Sequence, residues 1–290
     1  MKAKCCFFML ILLCGTPLFG WWDLGHMVVA KIAYDRLKPH IKEKVDHLIS
    51  LIPEMAQRSS FFISAACWAD DITKEGLQAF RSWHASPLPY DPEGLLSPDK
   101  RDTMLALLKN RDIVFALQEC VKTLKNPQAS DWAKALMLRF LIHLIGDIHQ
   151  PFTCISLYNR EFPEGDRSGK DFIIEWGHQK NSLHSYWDAI CGLGVNHVER
   201  PLSGQGLKQI DEIAKAVIFY FPEEQFQMDQ KINFSSWQQE AYEVGEKIAY
   251  MGIKPYQKVP PDYERKGQEA AAICVAKAGY RLAYLLNALL

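Results

Sequence analysis

Residues 131–151 read DWAKALMLRFLIHLIGDIHQP, and this stretch decides the fold. From Ala135 to Ile148 almost every position is apolar, interrupted by Arg139 and His143, and Pro151 stops the run. An uninterrupted membrane span takes about 20 apolar residues. This shorter run with a cation inside it is predicted to be a helix buried in a protein core. Outward from it the chain reads as helix after helix. Residues 26–51 carry Val28, Val29, Ile32, Ala33 and Leu37, then Ile41, Val45 and Leu48 beyond a break at Pro39, at helical spacing. Residues 102–125, 205–220, 236–252 and 264–289 give further helices. Two stretches depart from that pattern: residues 85–100, rich in proline, read as a surface loop, and residues 156–183 carry a short alternating run, Asp171 to Trp176, that predicts a small β-hairpin. With no internal repeat and no linker of domain-separating length, the expectation is one mainly α domain over residues 21–290.

The composition excludes several classes of function. Of 290 residues, 48% are hydrophobic and 23% charged, which is ordinary for a globular protein and rules out a disordered or low-complexity chain. The formal net charge is −1, so no global basic field exists and a nucleic-acid partner must be held by a local site. Residues 1–20 open with Lys2 and Lys4, continue apolar from Cys5 to Phe19 and end on Gly20, the pattern of a secretory signal peptide. Removal before Trp21 would leave 31 basic residues against 34 acidic ones (31 − 34 = −3), because no acid lies in the leader. The expected location is therefore secreted or periplasmic. Five cysteines remain, Cys67, Cys120, Cys154, Cys191 and Cys274, with no C-x-x-C pair. In an oxidising compartment they predict one or two disulfides and at least one further thiol.

The central helix contains His143 and Asp147, four residues apart and hence on one face. A buried carboxylate among Leu and Ile is costly unless a cation or metal accompanies it. A second copy of the spacing, His184 and Asp188, points to metal binding more strongly than either pair alone. His26, Asp70, Asp71 and His84 are further candidates. His40, His47 and His197 sit among polar neighbours and are expected at the surface, while His149 and His178 stay ambiguous.

Taken together, Trp21-Trp-Asp-Leu-Gly-His26, Trp68-Ala-Asp70, Trp83-His84, His143-Leu-Ile-Gly-Asp147-Ile-His149-Gln-Pro151 and Leu183-His184-Ser-Tyr-Trp187-Asp188 resemble, in the same order, the S1/P1 nucleases. The likeness continues through Trp237-Gln-Gln-Glu240 and Arg281 to Asn287. It implies the helical zinc phosphodiesterase fold shared with bacterial phospholipases C, and three zinc ions in a cleft. By that resemblance one ion takes Asp70, His84, His143 and Asp147. A neighbour shares Asp147 and adds His26 with the amino group and carbonyl oxygen of the first mature residue, Trp21. An α-amine binds metal only when free, so removal of the leader would create that ligand.

The third ion in the family takes a His two residues past Gln-Pro together with the second pair. Here that position is Thr153, which leaves His184 and Asp188 as two protein ligands where a catalytic zinc usually has three. Cys154 could serve if the backbone slips by one residue, and His178 could reach in from the hairpin. Otherwise the site is empty or weakly occupied, giving two or three ions in all. The family's Gly-Gly-Asn loop reads Ser168-Gly169-Lys170 here, and Lys170 is a candidate fixed positive charge where that ion would sit. The stacking aromatic after Trp-His is Ala85, with Tyr90 or Trp176 as alternative platforms. The resemblance implies hydrolysis of single-stranded DNA or RNA by a metal-activated water; Asp71 is a candidate carboxylate for supporting the ligands or handling a proton, or else a solvated neighbour of Asp70. Rival readings are a phosphodiesterase acting on a phospholipid head group and a metal-stabilised binding protein without catalysis.

Overall fold

The computed structural model describes residues 21–53, 57–193, 198–226 and 232–290. The proposed leader and His197 lie outside these, while His40 and His47 are exposed on the surface. The chain opens with α1 (Asp23–Asp35), α2 (Pro39–Ser50), α3 (Phe62–Ala65) and α4 (Trp68–Lys74), followed by a 3-10 helix, Gln78–His84. Strand β1 (Leu88–Tyr90) precedes α5 (Pro98–Leu108), α6 (Ile113–Lys125), α7 (Asp131–Asp147) and α8 (Pro151–Cys154). Then come β2 (Ile155–Leu157), the hairpin β3 (Ile173–Trp176) and β4 (Gln179–Ser182), and α9 (Leu183–Asp188). Helices α10 (Gly204–Tyr220), α11 (Phe234–Val244) and α12 (Pro261–Leu289) complete the order, with a π turn, Gly245–Ala249, ending α11.

The fold is mainly α. Helix α7 is the predicted central element: every residue from Leu138 to Asp147 is buried. Ser130 caps its first turn by accepting the Ala133 N–H, the role small oxygen-bearing side chains fill at helix starts. Arg139, fully buried, donates to the carbonyls of Ile49 and Ser59 at 2.9 Å each, so its charge is spent on closing the chain around the end of α2. Helix α1 lies between α10 and α12 and reaches α7. Its approach to α12 is set by Gly279, where a Cβ would stand 2.5 Å from Ile32. The hairpin is as expected, Trp176 pairing with Gln179 across the two-residue turn Gly177-His178, with Gly177 at φ +63.

Three expectations are corrected. The helix predicted over 102–125 is two, α5 and α6. Asn110 takes a left-handed φ of 63 between them, and Asp112 caps α6 by accepting the Phe115 N–H. The proline-rich stretch 85–100 is not wholly loop, because Leu88–Tyr90 pairs in parallel with Ile155–Leu157 and Pro89 is buried. The five cysteines form no disulfide; each is a buried free thiol, packed as a small apolar side chain. Among the described residues no helix is long and apolar enough to cross a membrane.

Candidate metal centre

Four elements bring five polar side chains into the core. Helix α7 presents His143 and Asp147, α1 brings His26, α4 brings Asp70, and the 3-10 helix ends on His84; all five are buried. The Asp147 carboxylate is their hub. Its Oδ1 lies 3.3 Å from His26 Nε2, and its Oδ2 lies 3.0 Å from both His84 Nδ1 and His143 Nε2. Asp70 Oδ1 stands 3.5 Å from His143 Nε2 and 3.6 Å from His84 Nδ1. The His26 and His143 rings stack at 4.0 Å, 17° from parallel. This approach depends on the glycine of His-x-x-Gly-Asp, since a Cβ on Gly146 would lie 2.6 Å from His26 Nδ1.

Two sets of ligand atoms fit a cation: His84, His143 and Asp147, and His26, Asp70 and His143. The strongest sign is what the cluster leaves unsatisfied. His26 Nε2, His84 Nε2, Asp70 Oδ1 and Asp147 Oδ1 are buried with no hydrogen-bond partner. Buried polar atoms are rarely left so, and an ion is a standard reason. His143 Nδ1 meets the Ala66 carbonyl at 2.6 Å; in the neutral ring, with the proton assigned to that nitrogen, Nε2 turns its lone pair toward the cluster.

Among the side chains themselves the charges divide unevenly. Burial pushes His26 down to about 4, assisted by the neighbouring His143. Burial opposes charge on His143 too, but Asp147 and Asp70 outweigh it and hold it up at about 9. Burial raises Asp70 to about 6. For Asp147 burial acts upward and the surrounding histidines overcome it, keeping its carboxyl well below the usual range.

The second pair is built differently. His184 and Asp188 face each other on α9, Nε2 to Oδ2 at 3.3 Å, and His184 Nδ1 meets the Ser168 carbonyl at 2.7 Å. Asp188 accepts the amide N–H of Gln150, whose own oxygen takes the Phe152 N–H. The Trp22 N–H donates to the Asp188 carbonyl at 3.0 Å, tying Trp21 and the start of α1 to this helix; Trp21 itself is buried. Thr153 Oγ1 is committed to the carbonyls of Asp147 and Gln150, at 2.5 and 2.8 Å. Neither suggested replacement is brought in. The Cys154 thiol points to the Ile148 carbonyl and is pushed by burial to about 12, and His178 is exposed on the hairpin turn. Lys170 is partly buried within electrostatic reach of Asp188.

Asp71 is held outside the cluster. Both its oxygens are engaged by Arg200, at 2.6 and 2.8 Å, and the same guanidinium holds Asp23 at 2.7 Å. Adjacent helix residues point about 100° apart, so when Asp70 faces the cluster Asp71 faces Arg200 instead. His149 is likewise removed, its Nδ1 on the Ile145 carbonyl and its Nε2 accepting from Arg281. Tyr90 packs on Tyr242 and Tyr250, and Trp176 on Tyr186; both are partly buried. Sequence reasoning missed Gln150, Arg200 and Asp166. Buried Asp166 accepts from Tyr250, Leu157 and Ser156. It anchors a turn in which Arg167, Ser168 and Gly169 all take positive φ, and that turn aims the Ser168 carbonyl at His184.

A family model described as S1/P1 Nuclease matches residues 21–290. Among curated relatives, Endonuclease 2 of Arabidopsis thaliana is 29% identical over 62% of this chain and 58% of its own length. Nuclease P1 of Penicillium citrinum is 24% identical over 68% and 66%, and Endonuclease 4 of Arabidopsis thaliana is 25% identical over 92% and 88%. For the first two, the matched part thus spans less than two thirds of the relative's own length.

Proposed function

The chain belongs to the S1/P1 nuclease family, matched from residue 21 to residue 290, and on that premise we propose that it is a secreted zinc-dependent hydrolase of phosphodiester bonds in single-stranded DNA or RNA. The observation that carries this reading is the buried Asp147 hub with its unpartnered ligand atoms. One continuous core that includes both Trp21 and Leu286 supports a single domain. The match beginning at Trp21 supports removal of the leader before that residue.

One ion would be held by Asp70, His84, His143 and Asp147. Another would be held by His26, Asp147 and the freed amino group and carbonyl of Trp21. Zinc bound there supplies a Lewis acid that activates water and neutralises charge developing on the phosphoryl oxygens. The chain's own residues prepare that chemistry. Asp147 turns one oxygen to each side, His143 keeps its proton on the Ala66 carbonyl, and burial keeps bulk water away from both carboxylates. The third position holds an ion weakly or not at all, because Thr153 is spent on backbone carbonyls and leaves only His184 and Asp188, one of whose oxygens the Gln150 amide takes. Lys170 places a positive charge on that side, within electrostatic reach of Asp188.

Release of acid-soluble nucleotides from denatured DNA and RNA, run beside hydrolysis of a chromogenic phosphocholine ester, tests the reading. Nucleotide release that a chelator abolishes and zinc restores is expected. Cleavage of the phosphocholine ester alone would replace it with a phospholipase-type activity, and inactivity on both would leave a metal-stabilised binding protein.

A further inference from the structure

Beside the second pair lies a groove of about 350 Å³ whose lining includes Arg81, Arg167, Lys170, Ser168, Tyr158 and Glu164. Three cations face it against a single carboxylate, in a chain whose net charge is −1. Glu164 is directed partly elsewhere, pairing with Lys100 at 3.1 Å. Arg167 pairs with Asp171 through Nε at 3.0 and 2.9 Å, with its side chain largely exposed.

Three connections join this groove to the metal centre. Arg81 precedes His84 by one turn of the same 3-10 helix. The Ser168 carbonyl in its wall orients His184. Lys170, in its lining, is within electrostatic reach of Asp188 as well as of Arg81 and Arg167. We propose that this groove is a second anion subsite, which holds a neighbouring phosphate of the same single strand whose scissile phosphate sits at the metal centre; the inference rests on the nuclease reading above.

The chemistry favours a phosphodiester. Two guanidiniums and an ammonium offer several donors to the non-bridging oxygens, and guanidinium matches phosphate geometry with paired N–H groups. Burial, opposed by Asp188 and assisted by Arg81 and Arg167, draws Lys170 down to about 8, so a bound anion favours its charged form. A backbone held at a second phosphate also compensates for the aromatic missing at Ala85, because it positions the strand without stacking a base.

The test is binding of a phosphorothioate oligothymidylate to the zinc-loaded protein as potassium chloride is raised, for wild type, Arg81→Ala, Arg81→Lys, Arg81→Ala/Arg167→Ala, and Arg160→Ala as a surface control. Single-strand binding loses a slope of about 0.7 in log K against log salt for each phosphate contact removed. Arg81→Ala should therefore flatten the slope by about that amount and weaken binding several-fold at low salt. The double variant should flatten it further, and Arg81→Lys should recover most of the loss. An unchanged slope in Arg81→Ala and in the double variant overturns the subsite, even if ordinary oligothymidylate is still cleaved. A slope that depends on the groove without any cleavage upholds the subsite as a strand-binding site and overturns the nuclease reading alone. Inorganic phosphate that competes through Arg81 while the oligonucleotide slope stays fixed would assign the groove to free phosphate and overturn the strand proposal.

Discussion

On α7, His143 and Asp147 meet a further ligand from each of three other elements, His26, Asp70 and His84. On α9, His184 and Asp188 meet instead the Gln150 amide and the charge of an ammonium. Both pairs have the same spacing, both are buried, and each histidine has a backbone carbonyl at its Nδ1, Ala66 behind His143 and Ser168 behind His184. What separates them is the chain packed opposite. A His-x3-Asp spacing supplies two ligands and their direction, and whether an ion binds tightly depends on residues distant in sequence that complete the set.

The largest effect expected at the first pair is for Asp147→Asn. It removes the charge that faces all three imidazoles, and should cost at least about 100-fold in hydrolysis together with tightly bound zinc, since even partners outside the ligand set cost 10–100-fold. Steady-state rates and metal analysis on the same sample check this. Gly146→Ala should be next. A Cβ 2.6 Å from a histidine ring stacked on His143 forces that ring aside, destabilising the fold by about 1–3 kcal/mol and releasing the His26 ion first. Denaturant unfolding with zinc content would read both. At the second pair, Thr153→His should move the comparison the other way, raising bound zinc by close to one ion per chain if the set there lacks only that ligand.

The smallest effect lies behind His149, held away from the first pair by Arg281, which in turn pairs with Glu240 at 2.6 Å. Burial opposes ionisation of Glu240, but Arg281 and Lys277 outweigh it and hold its carboxyl below the ordinary 4.5. A carboxylate lowered in the folded state contributes stability above its unfolded value and loses it as pH falls through the folded one. Glu240→Gln should therefore cost at most about 1 kcal/mol near neutrality, since the side chain is 42% exposed. That gap should close progressively as pH falls below the ordinary 4.5 in acid-unfolding curves.

Much of this was legible in the sequence because ligands on a helix obey its period and the apolar run around His143 leaves α7 nowhere to lie except the core. The direction of Asp71 was not legible, because proximity in sequence to Asp70 says nothing about facing, which turns about 100° per residue. Strand β1 was hidden because its partner lies 67 positions away and pairs with it in parallel over only three residues. Arg200, a single cation before Pro201, carries no local pattern; only the meeting of α1 and α4 gives it Asp23 and Asp71 to hold. The fate of Thr153 was open for the same reason, since its hydroxyl is spent on carbonyls that the sequence does not display.

Zinc per chain, measured by mass spectrometry on protein whose amino terminus is confirmed as Trp21, tests the contrast between the two pairs most directly. Two tightly held ions are predicted, both lost in Asp147→Asn and both retained in Asp188→Asn. Three tightly held ions, one of them lost in Asp188→Asn, would contradict the account, because the second pair would then be a complete site despite Thr153.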